Sequence, residues 1–292
     1  MSFALVTDSA CSLPYTLCNS LNLTVLPLNY YIDDVEFLGF HKDRPVDLQH
    51  FYQSMRNGSK VRTSLPNLAD TRNALVELLD QGKDILYLGF SCGLSGTFDS
   101  VHGICETLKA DYPKQRLVCV ETVAASFGEG LLVKKAALMK AAGATLDEIA
   151  SWVEEHRMRA VHWVTVDDLS YVLGGGRLGH AGALAANLLH LKPILRIDEE
   201  GRVAIAGKAR GRKKCLKAMV ERMGQTVDDQ TMEVYIGHGD CYDDAAFVEK
   251  LIKQELSPFY QVDIQYLDPI IGTHGGPGSL AIFFMGSGRQ VQ

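Results

Sequence analysis

The sequence predicts a two-domain α/β protein. An N-terminal, mostly parallel sheet with helices on both faces covers residues 1–158, and a C-terminal mixed-sheet α/β domain covers 159–292. Three observations lead there. Short apolar runs such as Ile85 to Phe90 read as strands buried on both faces. They alternate with longer segments of helical period, the pattern of parallel strands joined by helical crossovers. The composition then shifts near Arg157 to Ala160, and the second half carries a hairpin signal.

Phe3 to Val6 is the first strand, ending at Thr7-Asp8-Ser9, and Ser12 with Pro14 starts a helix. Leu23 to Leu28 is a second apolar run. Tyr30-Tyr31-Ile32 is extended and Asp33-Asp34 is a turn, so Asn29 to Arg44 forms a hairpin or arm. Asp47 caps a helix through Met55 that Asn57-Gly58 ends. Pro66 pushes Leu65 out of the helical region, which leaves Thr63 and Ser64 in an extended loop before a helix from Asn67 to Gln81. Ile85 to Phe90 then runs into Ser91-Cys92-Gly93-Leu94-Ser95-Gly96-Thr97. The helix that follows, Phe98 to Lys109, has Phe98, Val101, Ile104, Cys105 and Leu108 at helical spacing. Arg116 to Glu121 is another buried strand. Helices follow at Ala124 to Ala142 and Leu146 to Arg157, the latter opened by a capping box of Thr145 and Glu148.

In the second half, Val161 to Val166 is a strand that turns at Asp167-Asp168. Gly174 to Gly179 is a glycine-rich bend holding Arg177. Ala181 to Leu191 is a small-residue helix suited to close packing or to a hydrophobic pocket wall. Pro193 to Ile197 and Val203 to Ala206 flank the turn Asp198 to Arg202 as a hairpin. Lys208, Arg210, Arg212, Lys213, Lys214 and Lys217 form a basic run, either a solvated helix face or a docking patch. Val234 to Gly237 is a strand, Asp243 to Leu256 a helix, Val262 to Leu267 a strand and Leu280 to Met285 a last strand. Between the last two lies Ile270 to Ser279, where His274 sits among glycines that let backbone approach a ligand.

Composition narrows the function. With 47% hydrophobic and 22% charged residues, the chain can build a sizeable core. A formal net charge of -6 argues against non-specific nucleic-acid binding as the main role. No apolar stretch is long enough to span a bilayer. The first residues lack a basic n-region and meet Asp8 early, so they read as a strand and not a signal peptide. Seven scattered cysteines without a Cys-x-x-Cys pair fit a reduced, cytoplasmic setting. The sequence lacks a Walker A motif, a dinucleotide fingerprint after the first strand, zinc-like spacing, an EF-hand and a Gly-x-Ser-x-Gly elbow.

The Ser91–Thr97 stretch carries the chemistry. A strand, a glycine-rich turn loaded with hydroxyls and a helix N-terminus offer backbone N–H groups and a positive helix end to an anion. Ser95 and Thr97 add hydroxyl donors without a fixed charge. The competing account is an ordinary helix cap.

The motifs together resemble the DegV family. The resemblance rests on Thr7-Asp8-Ser9, Thr63-Ser64-Leu65-Pro66, Ser91 to Thr97, Gly175-Gly176-Arg177-Leu178, Lys192-Pro193-Ile194-Leu195, and His274 before Gly276-Pro277-Gly278. They occur in the family's order and spacing and span essentially the whole chain. Two positions depart from the usual pattern: Leu65, where glutamine is usual, and Gly275, where a β-branched residue often follows the histidine. The resemblance implies a DegV-like fold, with a Rossmann-like N-terminal sheet, that binds one long-chain fatty acid such as palmitate in a tunnel between its domains. It implies a lipid carrier for fatty acid metabolism or transport, with no cofactor, metal or catalysis of its own. Such a carrier presents the carboxylate to an ATP-dependent fatty acid kinase subunit. The implied carboxylate contacts are Thr63, Ser95 and His274, and the implied rim is Ser91, Gly96, Thr97, Gly275, Arg177 and Arg210. Burying a C16 tail, at about 0.8 kcal/mol per methylene, supplies on the order of 10 kcal/mol before ordering costs. The alternative is a Ser/His acyl or phosphoryl hydrolase using Ser95 and His274, with Asp8 or Asp240 as the orienting carboxylate.

Overall fold

The computed structural model describes residues 2–178, 191–228 and 231–289. The chain divides into two compact units, Met1–Asp47 with Lys60–Arg157, and Leu48–Ser59 with Met158–Gln292.

The first unit is built on β1 (Phe3–Asp8), which leads through a short 3-10 turn to α1 (Tyr15–Ser20) directly after Pro14. β2 (Thr24–Leu26) follows, then β3 (Asn29–Ile32) and β4 (Val35–Leu38). The turn between β3 and β4 holds Asp33 and Asp34 at φ 48 and 68, the positive values that a tight hairpin needs and aspartate tolerates. After α2 (Leu48–Arg56), which belongs to the second unit, come β5 (Val61–Ser64), α3 (Leu68–Asp80), β6 (Asp84–Gly89) and α4 (Thr97–Asp111). β7 (Leu117–Glu121), α5 (Phe127–Ala141) and α6 (Leu146–His156) complete it. The main sheet has the order β2-β1-β6-β7 and is parallel throughout. Its core packs Val6, Leu75, Leu79, Ile85, Tyr87, Val101, Cys105 and Leu108, so β6 is a buried strand as its apolar run requires. The capping box at Thr145 and Glu148 is present.

One expectation changes here. Thr63 and Ser64 do not lie in a loop. They are the end of β5, which pairs antiparallel with β3 in a separate sheet of order β4-β3-β5, with Thr63 opposite Tyr30. Pro66 keeps the backbone extended, and the β3 edge gives that extended chain hydrogen-bond partners.

The second unit contains β8 (Ala160–Thr165), α7 (Ser170–Gly174), β9 (Lys192–Ile197), β10 (Val203–Ala209) and α8 (Arg212–Thr226). Then come β11 (Glu233–His238), α9 (Tyr242–Leu251), β12 (Gln261–Tyr266), α10 (Pro269–Gly275) and β13 (Leu280–Met285). The sheet order is β10-β9-β8-β13-β11-β12, antiparallel except for the β11–β12 pair. The β9–β10 hairpin is where its turn signal places it. The expected helix from Ala181 lies outside the described residues, as does Gly179. The excursion Leu48–Ser59 is held here by side chains. The Tyr52 hydroxyl donates to the Leu267 carbonyl at 3.0 Å, and Arg56 pairs with Asp240 at 3.0 Å.

His274 also differs from its sequence reading. It lies in the last turn of α10, not in a loop. Asp268 caps that helix by accepting from the Ile270 and Ile271 amides, and Pro269 is its first residue. Both are helix-start signals that outweigh the glycines behind them. Gly276, at φ 76, ends the helix where a side chain would strain the backbone and meet the Tyr171 ring.

Candidate functional site

In the first unit, the loop after β6 is assembled from inside. The Ser91 amide donates to the Ala124 carbonyl at 3.1 Å, and the Ser91 carbonyl accepts from the Leu94 and Ser95 amides at 3.1 Å. The Ser91 hydroxyl accepts from the Gly93 amide at 3.2 Å, and the Cys92 amide donates to Glu121 at 2.7 Å. Ser91 and Thr97 are fully buried, so both shape the loop from beneath. Ser95 is half-buried, its hydroxyl 2.9 Å from that of Thr97. The residue at the helix N-cap is Gly96, which has no side chain to cap with, although the Thr97 amide does donate to the Ser95 hydroxyl at 3.3 Å. The Ser95 hydroxyl thus acts as a local cap and lies within hydrogen-bond distance of the Thr97 hydroxyl.

β5 borders this loop. A Cβ built on Gly96 would lie 3.9 Å from Leu65 Cδ2, an ordinary van der Waals distance. The Leu65 side chain therefore lies beside Gly96, and both residues are exposed. Thr63, two residues earlier, is half-buried on the strand.

Beneath the loop lies Asp8, without solvent exposure. Its carboxylate accepts from Tyr87 Oη at 2.8 Å, the Phe90 amide at 3.1 Å and the Ala10 amide at 3.0 Å. Burial pushes its pKa up to about 6, against the pull of those three donors. A second buried acid, Glu129 on α5, accepts from the Thr7 hydroxyl at 3.2 Å. Burial and the nearby Glu121 push the Cys92 thiol up to about 12, which disfavours its thiolate.

In the second unit, α7 and α10 meet. A Cβ on Gly175 would stand 2.8 Å from His274 Nδ1 and 3.3 Å from the Arg177 side chain, so only glycine fits between them. Arg177 is half-buried and donates to the Gly175 carbonyl. Burial, and secondarily the Arg177 charge, press the His274 pKa down to about 4, so the imidazole is neutral at ordinary pH. The structure therefore gathers Gly175 and Arg177 of one motif with His274 of another.

Asp167 pairs with Lys192 at 2.8 Å and with Arg212 at 3.6 Å. Arg210 is exposed on the chain between β10 and α8. The residue of the basic run that reaches the glycine-rich loop is Arg212, which donates to the Gly278 carbonyl at 2.7 Å and pairs with Asp244 at 2.8 Å. Sequence reading names it only as one member of that run. Its signal is the position directly after Gly211, whose φ of 90 turns the chain into α8.

The carboxylates considered for a hydrolase are spent elsewhere. Asp8 is committed to Tyr87 and two amides, and Asp240 to Arg56 and to the Tyr266 hydroxyl at 3.3 Å. Among the described residues, no group of His, Cys, Asp and Glu could hold a metal ion, and no helix is long and apolar enough to cross a membrane.

The family model described as an uncharacterised protein of the DegV family matches residues 2–287. The chain belongs to the DegV family. A DegV domain-containing protein of Clostridium perfringens is 37% identical over 289 residues, covering 99% of each chain. Two solved structures are similar throughout. A fatty-acid-binding DegV family protein from Thermus thermophilus is 28% identical, with a TM-score of 0.85, covering 98% of this chain and 100% of that one. A fatty-acid-binding DegV family protein from Streptococcus agalactiae is 26% identical, with a TM-score of 0.85, covering 100% of both. The two-domain α/β DegV fold, with a parallel first sheet and a mixed second sheet, is thus that of the family.

Proposed function

We propose that this chain binds one long-chain fatty acid and serves as a cytoplasmic, non-enzymatic carrier. The observation that carries this reading is the hydroxyl loop Ser91–Thr97, set on a buried strand in a chain whose relatives from T. thermophilus and S. agalactiae are fatty-acid-binding. The carboxylate accepts from the hydroxyls of Thr63 and Ser95, and His274 stands at the mouth. Gly96 and Gly275 give close backbone approach, with Arg177 and Arg210 around the rim; Ser91 and Thr97, expected at the rim, support the loop from beneath because both are fully buried. Neutral donors orient an anion without locking it into a tight ion pair, which suits a ligand that must be handed on. The domain division at residue 158 and the tail's lodging between the domains belong to the same reading.

The carrier role extends to an ATP-dependent fatty acid kinase subunit as partner. Phosphate charge developing on the carboxylate is best met by nearby cations, and Arg177 and Arg210 are the candidates. Native mass spectrometry before and after organic extraction tests the carrier. A lipid adduct, or uptake of added palmitate or oleate by the extracted protein, is expected. The absence of both adduct and uptake would overturn it.

A further inference from the structure

We propose that Asp8 is a positioning residue of the carboxylate site: it fixes the Ser91–Thr97 loop, and through it the Ser95 hydroxyl, without touching the ligand. The inference rests on the fatty-acid reading above and adds a residue to it.

Asp8 ends β1, beside β6 in the sheet. One of its donors, the Tyr87 hydroxyl, comes from within β6, but the other two are backbone amides at the start of loops. The Phe90 amide, held at 3.1 Å, is the last peptide N–H before Ser91. The Ser91 carbonyl then holds the Ser95 amide at 3.1 Å. Two hydrogen bonds and two intervening residues, Phe90 and Ser91, therefore link the Asp8 carboxylate to the backbone of Ser95. On the other side, the Ala10 amide is held at 3.0 Å and the Ala10 carbonyl accepts from Ser126 at 2.8 Å. Ser91 itself donates to Ala124 at 3.1 Å. The loops leaving β1, β6 and β7 are thus tied together around one buried carboxylate.

The third loop is strained. Val123 and Ser126 have φ of 54 and 53, a region that β-branched residues in particular avoid. Such conformations persist where surrounding bonds over-determine them, and they cluster at functional sites. A buried acid is also a costly way to join loops, since apolar packing would do so without desolvating a charge. What the carboxylate adds is three acceptances at one point, two of them aimed at loop amides.

The test is a split between two probes. Defatted wild-type, Asp8→Asn and Tyr87→Phe proteins are titrated calorimetrically with palmitate and with methyl palmitate. Both probes bury the same tail, but only the acid makes charge-assisted bonds to the loop hydroxyls, and these are roughly twice as strong as neutral ones. Asp8→Asn should weaken palmitate about tenfold, the loss of roughly one such bond, and methyl palmitate about twofold or less. Tyr87→Phe keeps the carboxylate and both amides, so it should show a smaller change of the same kind and serves if Asp8→Asn does not fold. Equal losses for both probes, or an unchanged palmitate affinity, would mean that Asp8 only holds the fold together. Wild-type protein that binds neither probe would instead overturn the fatty-acid reading, and this inference with it.

Discussion

The two units treat their titratable groups in opposite ways to a similar end. In the first, burial raises an acid, Asp8, to about 6, beneath a loop of neutral hydroxyls. In the second, burial lowers a base, His274, to about 4, beside the half-buried Arg177. Both groups are driven toward their uncharged forms, because each is removed from water before any partner is counted. What differs is the compensation. Asp8 receives three donors of its own, whereas His274 lies close to a cation that further disfavours its protonation. The first unit therefore offers a fixed set of neutral donors, and the second a histidine that stays neutral beside a charge. On the fatty-acid reading proposed above, the neutral donors of the first unit orient a head group without a direct ion pair.

The largest effect should come from removing the donors of the first unit. Thr63→Ala with Ser95→Ala should cost about 3–6 kcal/mol of palmitate affinity, at 1.5–3 kcal/mol for each charge-assisted bond. The tail should still bind, with its head disordered in a crystal. Isothermal titration of Ser95→Ala alone separates the two hydroxyls. Unchanged affinity with an ordered carboxylate would remove Ser95 from the site.

Next in size is the pH dependence of stability, where the units should pull in opposite directions. The folded pKa of Asp8 is raised from 3.8 to about 6, so its contribution is full below 3.8 and is lost as pH rises through 6. The shift corresponds to about 3 kcal/mol. That of His274 is lowered from 6.5 to about 4, so its contribution is full above 6.5 and is lost as pH falls through 4. It amounts to about 2–3 kcal/mol, discounted for the part of the ring that water reaches. Between pH 4 and 6 the two largely cancel. Urea unfolding of Asp8→Asn across that range should show stability rising more steeply with pH than in the wild type, and His274→Gln should show the reverse. The groups facing Asp8 are Tyr87, whose own pKa burial raises, and Glu129, which acts on Tyr87. Parallel profiles for wild type and both variants would show that neither group titrates in this window.

Sequence alone gives more of the first unit than of the second. The β6 strand, the Asp33-Asp34 turn and the Thr145–Glu148 box are local signals, complete within a few residues. The hydroxyl loop is legible for the same reason, since its residues are contiguous. Thr63 is misread only in its setting: β5 depends on an edge provided by β3, about thirty residues earlier, which no local pattern reports. The α10 helix is obscured by its own glycines, although Asp268-Pro269 announces it. The tie between Arg212 and the Gly278 carbonyl spans 66 residues and leaves no trace in composition, so the basic run suggests Arg210 just as readily. The home of Leu48–Ser59 in the second unit is likewise decided by packing, through Tyr52 and Arg56, and not by position in the chain.

Gly175 tests the second half more gently. Gly175→Ala would place a methyl group 2.8 Å from His274 Nδ1, closer than packed side chains allow. The ring must shift, at a cost of about 1–3 kcal/mol of stability. Thermal unfolding reads that cost, and a changed chemical shift for the imidazole reads its cause. A neutral outcome in both would mean that His274 has room to turn away.

The smallest effect separates burial from charge as the cause of the His274 shift. Arg177→Gln removes the cation while keeping a side chain of similar reach and hydrogen-bonding capacity. Burial is the larger cause and the arginine the smaller, so the imidazole pKa should rise from about 4 by less than half of its displacement and stay well below 6.5. Arg210→Gln is the matched control. Arg210 is exposed, and the causes of the ring's shift are burial and Arg177, so the histidine should titrate as in the wild type. The measurement is an NMR titration of the His274 ring protons in the three proteins. A return to about 6.5 in Arg177→Gln would assign the shift to the arginine. A small rise leaves the contrast between the units intact, with desolvation setting both pKa values and hydrogen-bond donors distinguishing them.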